Sequence, residues 1–287
     1  MFNAMYFTYD GVYSGTYGLT IADFNDDAIT ETQVFSPTLN TIKPPQLNRF
    51  LHNGVFYNQV PQFQFSVISE REIPDFVRRE ILSWLVGRKE FKPLQIHQAD
   101  LEDYFYNCVF TNTEIIYVNG RCHGFKLTAN FDSHYAYGKN VVEKLSSGKM
   151  IIHNRSDIYG EYTYPTIEFT VGTTPLTSNK DAIKWASEQP SLKNADGTSS
   201  CNSYDVCITN LTDDTQRHFV LAGLRAGEKI TVNNEIKHIS SSIAGEKLSH
   251  FNRNWLRLRP GKNELKVEIN DTGDGEIRCP TYIMIGF

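Results

Sequence analysis

The chain lacks the cysteine patterns that mark metal-stabilised and disulfide-stabilised proteins. Its 287 residues include five cysteines, an odd number, and no two of them form a CxxC pair. Structural zinc sites and disulfide frameworks both depend on closely spaced or evenly paired cysteines. We therefore predict buried free thiols and no metal or other cofactor.

Long apolar runs and clustered positive charge are missing too. No stretch approaches the roughly 20 apolar residues needed to cross a bilayer, and the opening MFNAMYFTYDG has no basic region followed by an apolar one. The net charge is −5 and the lysines and arginines are dispersed, which argues against nucleic-acid binding. We expect a protein without a membrane segment that is made and kept in a cytoplasm.

Catalytic signatures are also absent. HExxH, GxSxG, Walker A and GxGxxG motifs do not occur in the required context, and the eight histidines are scattered. The acidic segment NDTGDGE, residues 270–276, could hold a calcium ion, but its spacing is not that of an EF-hand. A solvated turn is the favoured interpretation there, and we predict that the protein is not an enzyme.

Aromatic residues are abundant, at 13% of the chain, with 15 tyrosines and 18 phenylalanines. Such residues favour strands, and the length suits two domains. We predict a mainly β protein with an N-terminal β-sandwich or barrel-like domain, residues 1–140, that carries one α-helix. A polar stretch at 138–149 leads into a C-terminal jelly-roll β-sandwich, residues 141–287, built of short strands with frequent turns.

The one helix of the first domain is predicted at 74–86. Pro74 suits the first turn of a helix and Gly87 suits its C-terminal stop. Apolar residues recur at helical spacing on one face; they are Val77, Ile81, Trp84 and Leu85.

Two short dipeptides predict tight hairpin turns. Asp10-Gly11 predicts a turn between two short strands, and Asn119-Gly120 is the favoured centre of a type I′ turn. The second turn predicts the pairs Val118 with Arg121, Tyr117 with Cys122, Ile116 with His123, Phe110 with Ala129, and Cys108 with Phe131. The apolar face of this hairpin would be Phe110, Ile116, Val118, Phe125, Leu127, Ala129 and Phe131, with a bulge near Asn112 and Glu114.

Two segments stand outside this pattern. Residues 31–62 contain four prolines and are predicted to form an extended arm or a pair of edge strands, suited to lying across a neighbouring subunit. Residues 172–203 are predicted to be a long loop with at most a short helix around 181–187. A firm corner at Arg259-Pro260-Gly261-Lys262-Asn263 is predicted to set the strand register of the second domain.

Aromatic rings in the second domain leave a sugar-binding function open. Tyr159, Tyr162, Tyr164 and Trp185 could stack on a sugar, although tyrosines facing the core and a tryptophan anchoring the long loop explain the same pattern. The alternative function is thus a carbohydrate-binding jelly roll or a glycan-active enzyme. The candidate interface or sugar contacts are Phe35, Pro37, Tyr57, Tyr159 and Trp185.

Three stretches resemble the distal tail (Dit-like) proteins of long-tailed bacteriophages. FTYDGVYSGTYGLTI resembles the family's opening F-x-x-D-G-x-x-S-x-x-x-G-L. IIHNRSDIYGEYTYPTIEFTVG resembles the start of its second domain, and NWLRLRPGKNELKVEI resembles its closing corner. The stretches follow the expected order over nearly the whole chain. The segment 172–203 departs from the family pattern because it is longer than a minimal member needs.

The resemblance implies a structural virion protein without catalysis. It implies a hexameric ring of N-terminal domains with a galectin-like or carbohydrate-module-like second domain. The implied partners are further copies of the chain, the tail tube protein, the tape-measure protein, the tail-associated hub or lysin protein and a receptor-binding protein. DNA would pass through without specific binding, no membrane would be contacted, and the protein would assemble in the host bacterial cytoplasm into the phage tail tip. A phage-tail-like bacteriocin or a defective prophage is a third reading.

Overall fold

A computed structural model describes residues 6–22, 38–56, 61–99, 102–158, 160–189, 192 and 202–284. Contacts divide the chain into two units, one of Met1–Gly138 with Met284–Phe287 and one of Lys139–Ile283. None of the described helices has the length and apolar character that crossing a bilayer requires.

The first unit is an antiparallel seven-stranded sheet with one helix. The sheet order is β2-β1-β7-β8-β9-β6-β3, and strands β4 and β5 pair separately. The strands are β1 Phe7–Tyr9, β2 Val12–Tyr13, β3 Thr20–Ala22, β4 Thr38–Ile42, β5 Leu51–Phe56, β6 Gln62–Ile68, β7 Lys92–Ile96, β8 Tyr106–Val118 and β9 Arg121–Phe131. Asp10 and Gly11 both have positive φ between β1 and β2, which confirms the first predicted turn.

Helix α1, Asp75–Leu85, confirms the predicted helix and its apolar face. Ile81, Trp84 and Leu85 are buried, and Val77 packs against the same core. The Trp84 ring stacks on Phe7 at 5.8 Å between centroids, and its Nε1 donates to the carbonyl of Tyr9 at 2.8 Å. The helix therefore covers the sheet face on which Phe7 and Tyr9 lie.

The β8–β9 hairpin confirms the Asn119-Gly120 turn but not the whole predicted register. The pairs Val118 with Arg121, Tyr117 with Cys122, Phe110 with Ala129 and Cys108 with Phe131 are present. Ile116 instead pairs with Gly124, so the predicted pair with His123 is wrong. Two register shifts, at Ile116/Tyr117 and Thr111/Glu114, cancel each other; the second is the expected bulge, where Asn112 has a φ of 50°.

These shifts change which residues reach the core. Phe110, Phe125, Leu127, Ala129 and Phe131 are buried as predicted. Ile116 and Val118 were predicted on that face, but Val118 is 49% exposed and Ile115 packs against the core instead of Ile116. Between the two shifts the pairing of β8 with β9 is displaced by one residue. The side chains of β8 that were predicted to face solvent there, such as Ile115, therefore face the core.

The second unit is a sandwich of two antiparallel sheets. Their orders are β10-β18-β12-β15-β16 and β11-β17-β13-β14. The strands are β10 Ala136–Lys144, β11 Gly148–Asn154, β12 Thr166–Thr170, β13 Val206–Asn210, β14 His218–Leu221, β15 Lys229–Asn233, β16 His238–Ser241, β17 Gly261–Ile269 and β18 Glu276–Ile283. The polar stretch 138–149 is therefore largely strand. The mainly β fold is confirmed, and the galectin-like detail stays a prediction.

Helix α2, Lys180–Glu188, lies in the segment 172–203, where a short helix was predicted. The Asn179 side chain caps it by accepting from the backbone N–H groups of Asp181 and Ala182. Its Ala182 and Ala186 are buried in one cluster with Cys207 and Val220. Strand β13 is buried at every position, because the sandwich core covers one of its faces and this cluster covers the other.

The corner before β17 has the predicted construction. Gly261 adopts a φ of 87°, which L side chains rarely adopt. The buried Asn263 side chain accepts from the backbone N–H of Arg259 at 2.9 Å and donates to its carbonyl at 2.7 Å. Asn210 also donates to Asn263 Oδ1 at 3.0 Å, so the corner is tied to β13. These contacts support the predicted structural role of the corner.

Candidate assembly surface

The β4–β5 hairpin, residues 38–56, exposes an unusual amount of apolar surface. Its two strands pair only with each other among the described residues. Five large apolar side chains are between 38% and 66% exposed; they are Leu39, Ile42, Leu47, Phe50 and Leu51. An isolated two-stranded hairpin is marginally stable in water, and a grouped apolar surface of this kind is typical of a protein interface.

The same hairpin carries positive charge only. Residues 38–56 contain Lys43 and Arg49 and no aspartate or glutamate. Lys43 Nζ lies 5.6 Å from the centroid of the Phe50 ring, within the range of a cation–π contact. The hairpin can therefore offer a partner both apolar contact and cations.

Most of the predicted contact residues fall outside the described residues. Phe35, Pro37, Tyr57 and Tyr159 belong to this group. Trp185 is half-buried and packs against the cluster formed around α2. This contact supports the view that Trp185 anchors the segment.

Sequence reasoning selected the proline-rich segment but missed the residues within it that are exposed. Leu39, Ile42 and Phe50 were not among the candidates, although all three lie in that segment. The available signal was the presence of large apolar residues in a stretch with no other element to cover them.

One of the tyrosines proposed for sugar stacking, Tyr162, has an arginine on its ring. The Arg257 guanidinium carbon lies 4.0 Å from the centroid of Tyr162. Arg257 also donates from Nε and Nη2 to the two carboxylate oxygens of Asp213, at 2.8 and 3.1 Å. One face of the Tyr162 ring is thus used in a cation–π contact and is not free to stack on a sugar.

We predict that the Asp213 ion pair makes stability depend on acidic pH. Burial alone would raise the pKa of Asp213, but hydrogen bonds from Arg257 and Thr215 outweigh it and lower the pKa from 3.8 to about 2. A lowered pKa contributes stability above the unfolded pKa, and this stability is lost as the pH falls towards 2. The contribution is about 2 kcal/mol.

Urea unfolding at several pH values tests this. Asp213→Asn should be less stable than the wild type by about 2 kcal/mol near neutral pH. The difference should shrink steadily once the pH falls below about 4, because the wild-type carboxyl then takes up a proton. A difference that stays constant down to the acid limit would contradict the assignment.

The four cysteines within the described residues are poor nucleophiles. Cys108, Cys122, Cys207 and Cys279 are buried free thiols, as predicted, and Cys201 lies outside the described residues. Burial raises the pKa of Cys207 and of Cys279 to about 12. A thiol with so high a pKa is almost entirely protonated at neutral pH and reacts slowly.

Other polar groups of the second unit serve local structure. Thr209 Oγ1 lies 2.6 Å from His218 Nδ1, and His218 Nε2 lies 3.7 Å from a carboxylate oxygen of Asp181. Thr209 is buried, so this series of contacts links α2 to the sheet. In NDTGDGE, Asp271 accepts from the backbone N–H of Gly275 and Asp274 from that of Thr170. No group of three or more metal-binding side chains occurs within the described residues.

These features define a class of protein: a two-part β assembly protein with an uncovered, apolar and basic hairpin. The phage tail protein N-terminal domain family matches residues 2–133. The corresponding phage tail C-terminal domain family matches residues 186–278. The two matches together span more than three quarters of the chain, which belongs to this family of phage tail proteins.

Solved structures support the same assignment at the level of the fold. The chain is similar to the SPP1 Dit protein, described as a paradigm of the hub of the adsorption apparatus in phages that infect Gram-positive bacteria. The TM-score is 0.65 at 14% identity, over 96% of this chain and 98% of that one. A chain of the phage P2 baseplate in its activated, calcium-bound conformation aligns with a TM-score of 0.50 at 12% identity, over 96% and 97%. Curated protein sequences yield no match.

The resemblance read from the sequence is therefore confirmed. The chain is a phage tail structural protein with the Dit fold. As a tail component it belongs to the virion.

Proposed function

We propose that the protein is the distal tail hub of a long-tailed phage, a ring of six copies without catalytic activity. The observation that carries the proposal is the uncovered β4–β5 hairpin in a chain whose fold is that of a Dit protein along nearly its whole length. Covering exposed apolar surface is the main driving force for association, and repeated copies of one chain can close a ring.

The hub would connect the tail tube to the tail tip. Its further partners would be the tape-measure protein, the tail-associated hub or lysin protein and a receptor-binding protein, with assembly in the host cytoplasm. The net charge of −5 suits a channel through which DNA slides, because an acidic wall does not retain phosphate. The segment around α2 is well placed in the sequence to serve as a docking element, since it interrupts the strands of the second domain.

Light scattering of the purified protein tests the ring and the role of the hairpin. The wild type is expected at six times the 32.8 kDa mass of the chain. The double variant Ile42→Asp/Phe50→Asp should run as a single chain that is still folded, with the circular dichroism spectrum of the wild type. Burying a charged side chain in the interface costs free energy. In the single chain both positions are exposed, so the same charges remain in water.

A matched control carries the same two changes on exposed apolar residues of the second unit. Ile151 and Ile236 are 47% and 69% exposed, and Ile151→Asp/Ile236→Asp should keep the ring. A wild type that stays a single chain at every concentration would disprove the hub. Retention of the wild type on a saccharide column would favour the sugar-binding alternative instead.

A further inference from the structure

A ring built from identical copies needs two different surfaces on each copy. In a closed ring with rotational symmetry and more than two members, a patch on one subunit meets a different patch on the next. The β4–β5 hairpin supplies one surface under the proposed function. Its partner should combine exposed aromatic side chains with carboxylates that lack an ion-pair partner, because the hairpin is apolar and carries only cations.

The outer face of the seven-stranded sheet has the required aromatic side chains. Thr8 pairs with Tyr13 on β2 and with Gln95 on β7, so all three point away from the face that α1 covers. Tyr13 is 44% exposed. Its ring packs edge-on against His97, with 5.6 Å between centroids.

The same row continues onto the next strand. Leu94 pairs with Tyr106, and one more step of that register sets Phe105 beside Gln95. Phe105 is 37% exposed and stacks on Tyr137 at 5.4 Å. The row therefore has Tyr13 on β2 at one end and Phe105, just before β8, at the other, with Thr8 and Gln95 between them.

Two carboxylates adjoin this row. Gln95 Nε2 donates to the backbone carbonyl of Glu102 at 2.7 Å, which fixes Glu102 next to the outer face. Glu102 and its neighbour Asp103 are both exposed. We call the surface formed by Tyr13, His97, Glu102, Asp103 and Phe105 the acceptor face.

The aromatic rings beside its carboxylates distinguish the acceptor face from the other unpaired acidic positions of the unit, such as Glu70 and Glu80. Among the ion pairs of the described residues of the unit, none involves Glu102 or Asp103. Four other carboxylates of the unit are already paired with cations; they are Asp10 with Arg88, Glu72 with Arg121, Asp75 with Arg78, and Glu90 with Lys92. The acceptor face offers two carboxylates beside aromatic rings, and the hairpin offers Lys43 and Arg49 beside Phe50 and Leu51.

We infer that the acceptor face binds the β4–β5 hairpin of a second copy of the chain. This inference rests on the proposed function and specifies which surfaces meet in the ring. Lys43 and Arg49 of one copy would lie against Glu102 and Asp103 of the next. The exposed apolar side chains of the hairpin would pack on Tyr13 and Phe105.

Charge reversal on either surface tests the pairing. Glu102→Lys/Asp103→Lys and Lys43→Glu/Arg49→Glu should each weaken assembly by about tenfold or more, seen as a rise in the concentration at which rings give way to single chains. The control Glu70→Lys/Glu80→Lys makes the same change in net charge at two other exposed positions of the unit. It should shift that concentration by no more than about twofold.

Mixing the two reversed variants provides the decisive measurement. Each variant alone faces like charges, but in an equal mixture every interface of an alternating ring pairs opposite charges. Native mass spectrometry with one variant isotopically labelled should show mixed rings of three copies each.

The outcomes separate the two proposals. Wild-type rings that neither reversal weakens would overturn the acceptor face and leave the hub in place. If the mixture gives rings that contain only one of the two variants, and no mixed rings, the acceptor face is likewise overturned. A wild type that never assembles would remove the hub and the acceptor face together.

Discussion

Replacing Lys247 by methionine is expected to lower the free energy of unfolding of the second unit by about 3–5 kcal/mol. The Lys247 ammonium contacts Oε1 of Glu228 at 2.5 Å, and the Glu228 side chain is fully buried. Burial alone would raise the pKa of Glu228, but hydrogen bonds from Lys247, Ser241 and the backbone N–H of Arg225 lower it. Without the ammonium, the carboxylate stays buried with no cation.

Urea unfolding of three variants separates this effect from lost packing. Lys229→Met makes the same substitution at an exposed position next to Glu228 and should change stability by less than about 0.5 kcal/mol. Lys247→Met/Glu228→Gln should recover much of the loss, because no charge remains buried. The deficit of Lys247→Met should also shrink as the pH falls from about 7 to about 5, since the unpaired carboxyl can then bind a proton. If the free energy of unfolding of Lys247→Met alone lies within about 1 kcal/mol of the wild-type value, the pairing of Lys247 with Glu228 is refuted.

The sequence predicted the elements whose signals are local. Helix α1 follows from an apolar period of 3.6 between Pro74 and Gly87. The hairpin turns follow from Asp10-Gly11 and Asn119-Gly120, where positive φ at both positions suits the dipeptide. The corner at Gly261 belongs to the same kind, since a few adjacent residues determine its geometry.

Features that depend on distant residues could not be predicted in this way. Glu228 and Lys247 are polar residues of loop-like stretches, and only the folded sandwich brings them together in a buried site. The acceptor face requires the pairing of β1 with β2 and β7, which no local pattern encodes. The β4–β5 hairpin is exposed because no other described strand pairs with it, and its own residues do not encode this.

The register of β8 and β9 shows the limit most clearly. A turn fixes the first pairs, but each bulge moves every later pair by one residue. Asn112 and Glu114 signalled the bulge in β8, because an uninterrupted register would place both polar side chains on the apolar face. The compensating shift near His123 has no local signal in the sequence other than Gly124, the next residue.

Gly124→Ala is therefore expected to destabilise the first unit by about 3 kcal/mol. A Cβ at position 124 would lie 2.2 Å from the carbonyl oxygen of Val67 and 3.0 Å from Cα of Ile68. Both are backbone atoms of β6, which pairs with β9 along its whole length. The methyl group can fit only if the two strands separate, and this would break ladder hydrogen bonds at the centre of the sheet.

Gly120→Ala gives the matched control in the same hairpin. Gly120 has a φ of 79°, but nothing lies within 4 Å of an added Cβ. Its substitution should cost about 1–2 kcal/mol from backbone strain alone. Gly124 has no positive φ, so its larger loss would come from the clash with β6. Thermal and urea unfolding of both variants measure the two costs, and a Gly124→Ala loss no greater than that of Gly120→Ala would show that β6 and β9 are not packed as closely as described.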